Sequence, residues 1–75
     1  MFYRKVLKVF EDMFDIRKDD IEPESTLEEI GIDDIAVVDL ALALEEEFDL
    51  DIPEDIYGAW TTVGDIVNYV ENEAY

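Results

Sequence analysis

The sequence predicts an all-α fold, a small four-helix bundle with three longer helices and a short third one. Three observations predict it. Apolar residues recur at three- and four-residue spacing in three separate stretches. Serine- or threonine-led capping boxes stand before candidate helical turns. No run alternates apolar and polar residues as a half-buried strand would. With 75 residues, 49% of them hydrophobic, the chain has enough apolar side chains for one small core. Residues 1–75 are therefore read as a single domain.

The first helix is expected over residues 2–14. Phe2, Val6, Val9, Phe10 and Met13 fall on one side and Lys5, Lys8, Glu11 and Asp12 on the other. Arg17 to Glu24 is polar and contains Pro23, so it reads as a long loop. Ser25-Thr26-Leu27-Glu28 matches a capping box that starts a short turn ended by Gly31. Asp33 or Asp34 opens the next helix, because either carboxylate accepts from free N–H groups at the positive end of the helix dipole. Ile35, Val38, Leu42 and Phe48, with Leu40, Ala41 and Leu44 beside them, give that helix a broad apolar face. Such breadth predicts a central helix packed on more than one side. Asp49 to Pro53 breaks it, and Pro53-Glu54-Asp55 suits the first turn of a short helix limited by Gly58. Thr62-Val63-Gly64-Asp65 heads the last helix, whose apolar positions are Ile66, Val67, Tyr69 and Val70.

Charge narrows the function. The net charge is −17, and all five basic residues (Arg4, Lys5, Lys8, Arg17, Lys18) lie in the first 18 positions. Three of the 22 acidic residues precede Asp19, so 19 follow with no basic residue among them. Such a surface repels nucleic acid and anionic membranes and attracts basic patches on proteins. Histidine and cysteine are absent, no hydroxyl has a base beside it, and no glycine-rich phosphate loop occurs, so no enzyme is expected. Asp49-Leu50-Asp51 has a hint of calcium spacing, but Pro53 and the missing loop glycine make a poor EF-hand, and no metal site is expected. No stretch approaches the roughly 20 apolar residues of a membrane span. Met1-Phe2-Tyr3-Arg4-Lys5 lacks the apolar run of a signal peptide. A cytoplasmic monomer is the expectation.

One segment carries more. Gly31-Ile32-Asp33-Asp34-Ile35 resembles the Gly-x-Asp-Ser-Leu start of the second helix in the acyl carrier protein family. The likeness runs along most of the chain. Pro23-Glu24-Ser25-Thr26-Leu27 is similar to the loop before that helix, and Val38 through Phe48, with its acidic run, is similar to the helix itself. Asp51-Ile52-Pro53-Glu54 resembles the entry to the short third helix, and Thr61-Thr62-Val63-Gly64-Asp65 the start of the fourth. The resemblance implies a bundle of the acyl carrier protein type and a role in fatty-acid or polyketide-type biosynthesis. It also implies docking of the second helix on basic enzyme surfaces. Asp33, Asp39, Glu45, Glu46 and Glu47 are the matching acids, and acyl-processing enzymes or a phosphopantetheinyl transferase the matching partners. Paired charges there would steer encounter and fix orientation more than add affinity.

Asp34 departs from the family. It stands where the resemblance places the serine that bears 4'-phosphopantetheine, and a carboxylate has no hydroxyl to become the bridging ester oxygen. The expectation is no cofactor as written, and the arm only if Asp34 were serine. Ser25 sits in a capping box, nowhere near an Asp-Ser-Leu context. Three origins fit Asp34: a natural copy that lost the arm, a substitution made to block modification, or a charge that imitates the attached phosphate. Trp60 is the second departure. In the family that position and Leu42 match the space that receives an acyl chain. The indole either fills part of that space or covers the end of the bundle. Two functions follow: a carrier-like domain that cannot carry acyl thioesters, or a non-carrier interaction module using the same fold and acidic surface.

Overall fold

The structure, a computed structural model, describes residues 2–74; Met1 and Tyr75, the ends of the one-domain reading, lie outside the described residues. Four α-helices run in the order α1 (Phe2–Phe14), α2 (Asp34–Phe48), α3 (Glu54–Tyr57) and α4 (Val63–Glu73). Among the described residues there is no strand, only one isolated antiparallel bridge between Thr26 and Thr62. The expected all-helical bundle with a short third helix is what forms.

The core is made where α1, α2 and α4 meet. Val6 and Phe10 of α1, Leu40 and Leu44 of α2, and Val63, Ile66 and Val70 of α4 are its fully buried side chains. Each such apolar side chain contributes about 1.5–3 kcal/mol relative to exposure, which a domain of this size needs from nearly all of them. Phe2 closes one end against Phe48, with ring centroids 6.0 Å apart. The short α3 adds only the half-buried Ile56 and Tyr57.

Local chemistry sets the element ends. Asp33 is the N-cap of α2 and accepts the Ala36 N–H at 2.8 Å; Asp34 is the first helical residue. At the head of α4, Thr62 Oγ1 accepts the Asp65 N–H at 3.1 Å and the Asp65 carboxylate accepts the Thr62 N–H at 3.0 Å. This is the expected capping box. The Val63 N–H goes to the Ser25 carbonyl and the Gly64 N–H to the Pro23 carbonyl at 2.7 Å, so α4 is tied to the long loop as well as capped. A Cβ on Gly64 would lie 3.0 Å from that Pro23 oxygen, and glycine permits the approach. Gly31 ends its turn at φ +86°, as its position predicts.

Several expectations need correction. The first capping box is one residue later: Thr26 and Glu29 exchange bonds of 2.8 and 3.1 Å, whereas Ser25 Oγ accepts the Glu22 N–H. Both Ser25–Glu28 and Thr26–Glu29 fit the pattern, and the backbone decides between them. The expected loop from Arg17 to Glu24 contains a 3-10 turn at Lys18–Asp20. Pro53 is the N-cap of α3 and does not lie in its first turn. On α1, Met13 is 36% exposed while Leu7 is buried, so the inner face takes in Leu7 and leaves Met13 at its edge. On α2, Ile35, Val38 and Leu42 are not core residues: they are 78%, 38% and 54% exposed. Val37, Leu40, Ala41, Leu44 and Phe48 form the buried face, and among the described residues no element covers the other.

Candidate functional site

The start of α2 borders a cleft of about 500 Å³. The turn over residues 26–32, the N-terminal part of α2, and the stretch from α3 to Thr61 enclose it. Leu27, Ile32, Val37 and Val38 give it apolar walls, and Tyr57 and Trp60 add two rings. Asp34 lines the cleft and is exposed. Its side chain has no hydrogen bond or ion pair among the described residues, because the capping work is done by Asp33.

Trp60 is half-buried in the cleft wall and meets Tyr69 edge-on, with centroids 6.1 Å apart and planes at 63°. The cleft beside it stays open. Leu42, the other residue expected at an acyl cavity, points to solvent and does not line the cleft. Its position, two turns along α2 from Ile35, carries it away from α3.

The five acids expected to meet partners divide by geometry. Asp39, Glu46 and Glu47 are exposed. Asp33 is exposed but engaged as a cap. Glu45 is half-buried, and its Oε2 accepts the Ile52 N–H at 2.7 Å, pinning the α2–α3 loop. Glu46 and Glu47 also edge a second, shallower groove between α1 and α2, floored by Val9, Met13 and Ala43. Burial first, and then the carboxylates of Glu73, Asp51, Asp55 and Glu45, push the Tyr69 hydroxyl above its usual range. Among the described residues no group of three or more acids is arranged to hold a metal, and no helix is long and apolar enough to cross a membrane.

Sequence reasoning missed the apolar ridge of Ile35, Val38 and Leu42. Spaced i, i+3 and i+7, they share one side of α2, with Asp39 and Glu46 next to them at i+4 from Ile35 and Leu42. The signal was present: α2 is apolar on nearly all sides, more than a bundle of this size can cover. Three large apolar side chains in one exposed line, edged by unpaired carboxylates, are what a partner-binding face presents.

Comparison with known proteins places this geometry. The family model described as "phosphopantetheine attachment site" matches residues 4–70. An acyl carrier protein of Picosynechococcus sp. is 38% identical over 69 residues, covering 91% of this chain and 85% of that protein. The crystal structure of an acyl carrier protein from Thermotoga maritima superposes with a TM-score of 0.84 at 25% identity, over 97% of this chain and 91% of that one. The solution structure of an apo doublet acyl carrier protein from prodigiosin biosynthesis gives 0.83 at 23% identity, over 99% of this chain and 36% of that longer one; that likeness concerns the fold alone.

Proposed function

The chain belongs to the phosphopantetheine attachment-site family, that of the acyl carrier proteins, and we propose that it is a member that docks without an arm. It is a carrier-fold domain of fatty-acid or polyketide-type biosynthesis, not itself an enzyme, that cannot load an acyl thioester as written. One observation carries the reading: Asp34 is the first residue of α2, the position that the resemblance gives to the attachment serine. Phosphopantetheine is held through a hydroxyl oxygen, and Asp34 has none. Ser25, the chain's one serine, is half-buried in the preceding loop with its Oγ taken by the Glu22 N–H. The residues at this helix start therefore do not fit the cofactor, and no step runs through it.

The docking face is the exposed side of α2. Asp39, Glu46 and Glu47 steer a basic surface toward it, and Ile35, Val38 and Leu42 supply the apolar contact once the surfaces meet. The partners are basic faces of acyl-processing enzymes or of a phosphopantetheinyl transferase. Nucleic acid and anionic membrane are repelled by the net charge of −17, and the chain works as a cytoplasmic monomer.

Intact mass after incubation with coenzyme A and a phosphopantetheinyl transferase tests this. The parent protein gains nothing, and the Asp34→Ser variant gains one phosphopantetheine group. A gain on the parent overturns the reading. No gain on a folded Asp34→Ser variant means that the surface no longer serves a carrier's modifying enzyme, which favours the plain interaction module.

A further inference from the structure

The cleft beside Asp34 has walls of one character and a rim of another. Its walls are apolar and aromatic: Leu27, Ile32, Val37, Val38, Tyr57 and Trp60. Its rim carries four carboxylates, those of Glu28, Asp33, Asp34 and Glu54, and no cationic side chain lines it. None of Glu28, Asp34 and Glu54 has a side-chain hydrogen bond or ion pair among the described residues. Val38 belongs both to this cleft and to the exposed apolar ridge of α2, so the cleft is continuous with the docking face.

We propose that this cleft receives one arginine side chain from the protein partner. The inference rests on the docking reading above and adds what enters the space beside Asp34. Charge complementarity selects the occupant. An anion would meet four carboxylates, and a neutral apolar chain would make no use of the three that pair with nothing else among the described residues. A lysine would bring charge in a compact, strongly hydrated head. Arginine fits both halves of the cleft: its planar group is weakly hydrated and stacks on aromatic rings, and its fork of donors pairs with carboxylates. Its aliphatic stem lies along Val37 and Val38. In this role Asp34 is the principal anion of the cleft, and Trp60 the surface on which the guanidinium rests.

The probe is a short amphipathic leucine–lysine peptide with one central arginine, compared with the same peptide carrying uncharged citrulline there. Trp60 is the only tryptophan of the chain, so its fluorescence reports the cleft and calorimetry gives the affinity. The arginine peptide binds the parent roughly tenfold more tightly and shifts Trp60 emission. Asp34→Asn, at an exposed position that caps nothing, brings the two peptides within about twofold of each other by weakening the arginine peptide more than the citrulline peptide. Glu46→Gln, outside the cleft, weakens both peptides alike. Equal binding of the two peptides by the parent, an arginine preference that survives Asp34→Asn, or saturation without a change at Trp60 overturns the proposal and leaves the docking reading standing. Binding of neither peptide overturns the cleft and the basic-partner reading together. The mass test of loading is independent of both.

Discussion

Leu42 and Leu44 are two residues apart on α2, identical in chemistry and opposite in environment. Leu44 is fully buried and Leu42 is 54% exposed. Replacing each with alanine measures directly which side of α2 belongs to the core. For Leu44 the loss combines the transfer of a buried side chain with the cavity left behind, about 2–5 kcal/mol. A core this small supplies about 3–5 kcal/mol in all, so Leu44→Ala leaves a protein on the edge of unfolding. For Leu42, roughly half of the about 1.5–3 kcal/mol of a full burial is in play. No cavity forms at the surface, and alanine recovers a little helix propensity. The expected cost is about 1 kcal/mol.

Urea unfolding followed by circular dichroism and Trp60 fluorescence separates the two, with added salt to keep Leu44→Ala within range. Calorimetry against a basic amphipathic peptide then shows the converse: Leu42→Ala folds but binds more weakly, through faster dissociation. Equal losses of stability for the two variants would refute the assignment of Leu42 to the surface, and with it the apolar ridge as a docking face.

Two further outcomes concern charge. Among the described residues the one ion pair within 4.0 Å is Lys8–Asp12, with both side chains largely exposed, so added salt screens mainly repulsion. The melting temperature should rise with sodium chloride, and a flat or falling dependence contradicts the self-repulsion argument. Hydrogen bonds from the Thr62 and Thr61 N–H groups hold the Asp65 carboxyl below its ordinary value of 3.8. A lowered folded value means that its stabilisation is complete above 3.8 and fades as pH falls through the folded value. The stability gap between the parent and Asp65→Asn should therefore close on acidification below 3.8, and a gap that stays constant to pH about 2 counts against the capping box as its source. Taking the difference cancels the relief of general repulsion that protonation brings to both proteins.

Much of the fold was legible because its determinants are local. α1 was readable from the spacing of Val6, Val9 and Phe10, and α4 from Thr62 and Asp65, which need only each other to cap. The errors arise where a tertiary neighbour decides. Periodicity places Ile35, Val38 and Leu42 on one side of α2 and Leu40 and Leu44 on another, but it does not say which side meets α1 and α4. Glu45 looked like part of a surface run with Glu46 and Glu47; only the return of the chain at Ile52 brings an N–H to it. The candidate site divides in the same way. Asp34 was conspicuous through its motif. Glu28, Glu54 and Trp60 are brought beside it by two other segments, the turn before α2 and the stretch from α3 to Thr61, and no spacing along the chain announces that.

The position of Asp34 explains how a carrier fold takes a carboxylate at the head of α2 at no structural cost. The N-cap, not the residue after it, accepts the hydrogen bond that holds the head of α2, and that residue is Asp33. The first helical position is exposed, makes no side-chain bond among the described residues, and lies near the positive end of the helix dipole. A carboxylate is welcome there and contributes a few tenths of a kcal/mol or more. Neither the core residues Leu40 and Leu44 nor the exposed ridge of Ile35, Val38 and Leu42 depends on what that side chain is. One exposed side chain stands at the head of α2, while the core and the apolar ridge occupy other faces of the same helix. A change at Asp34 therefore leaves the fold and the apolar ridge intact and acts on the cleft that this residue lines.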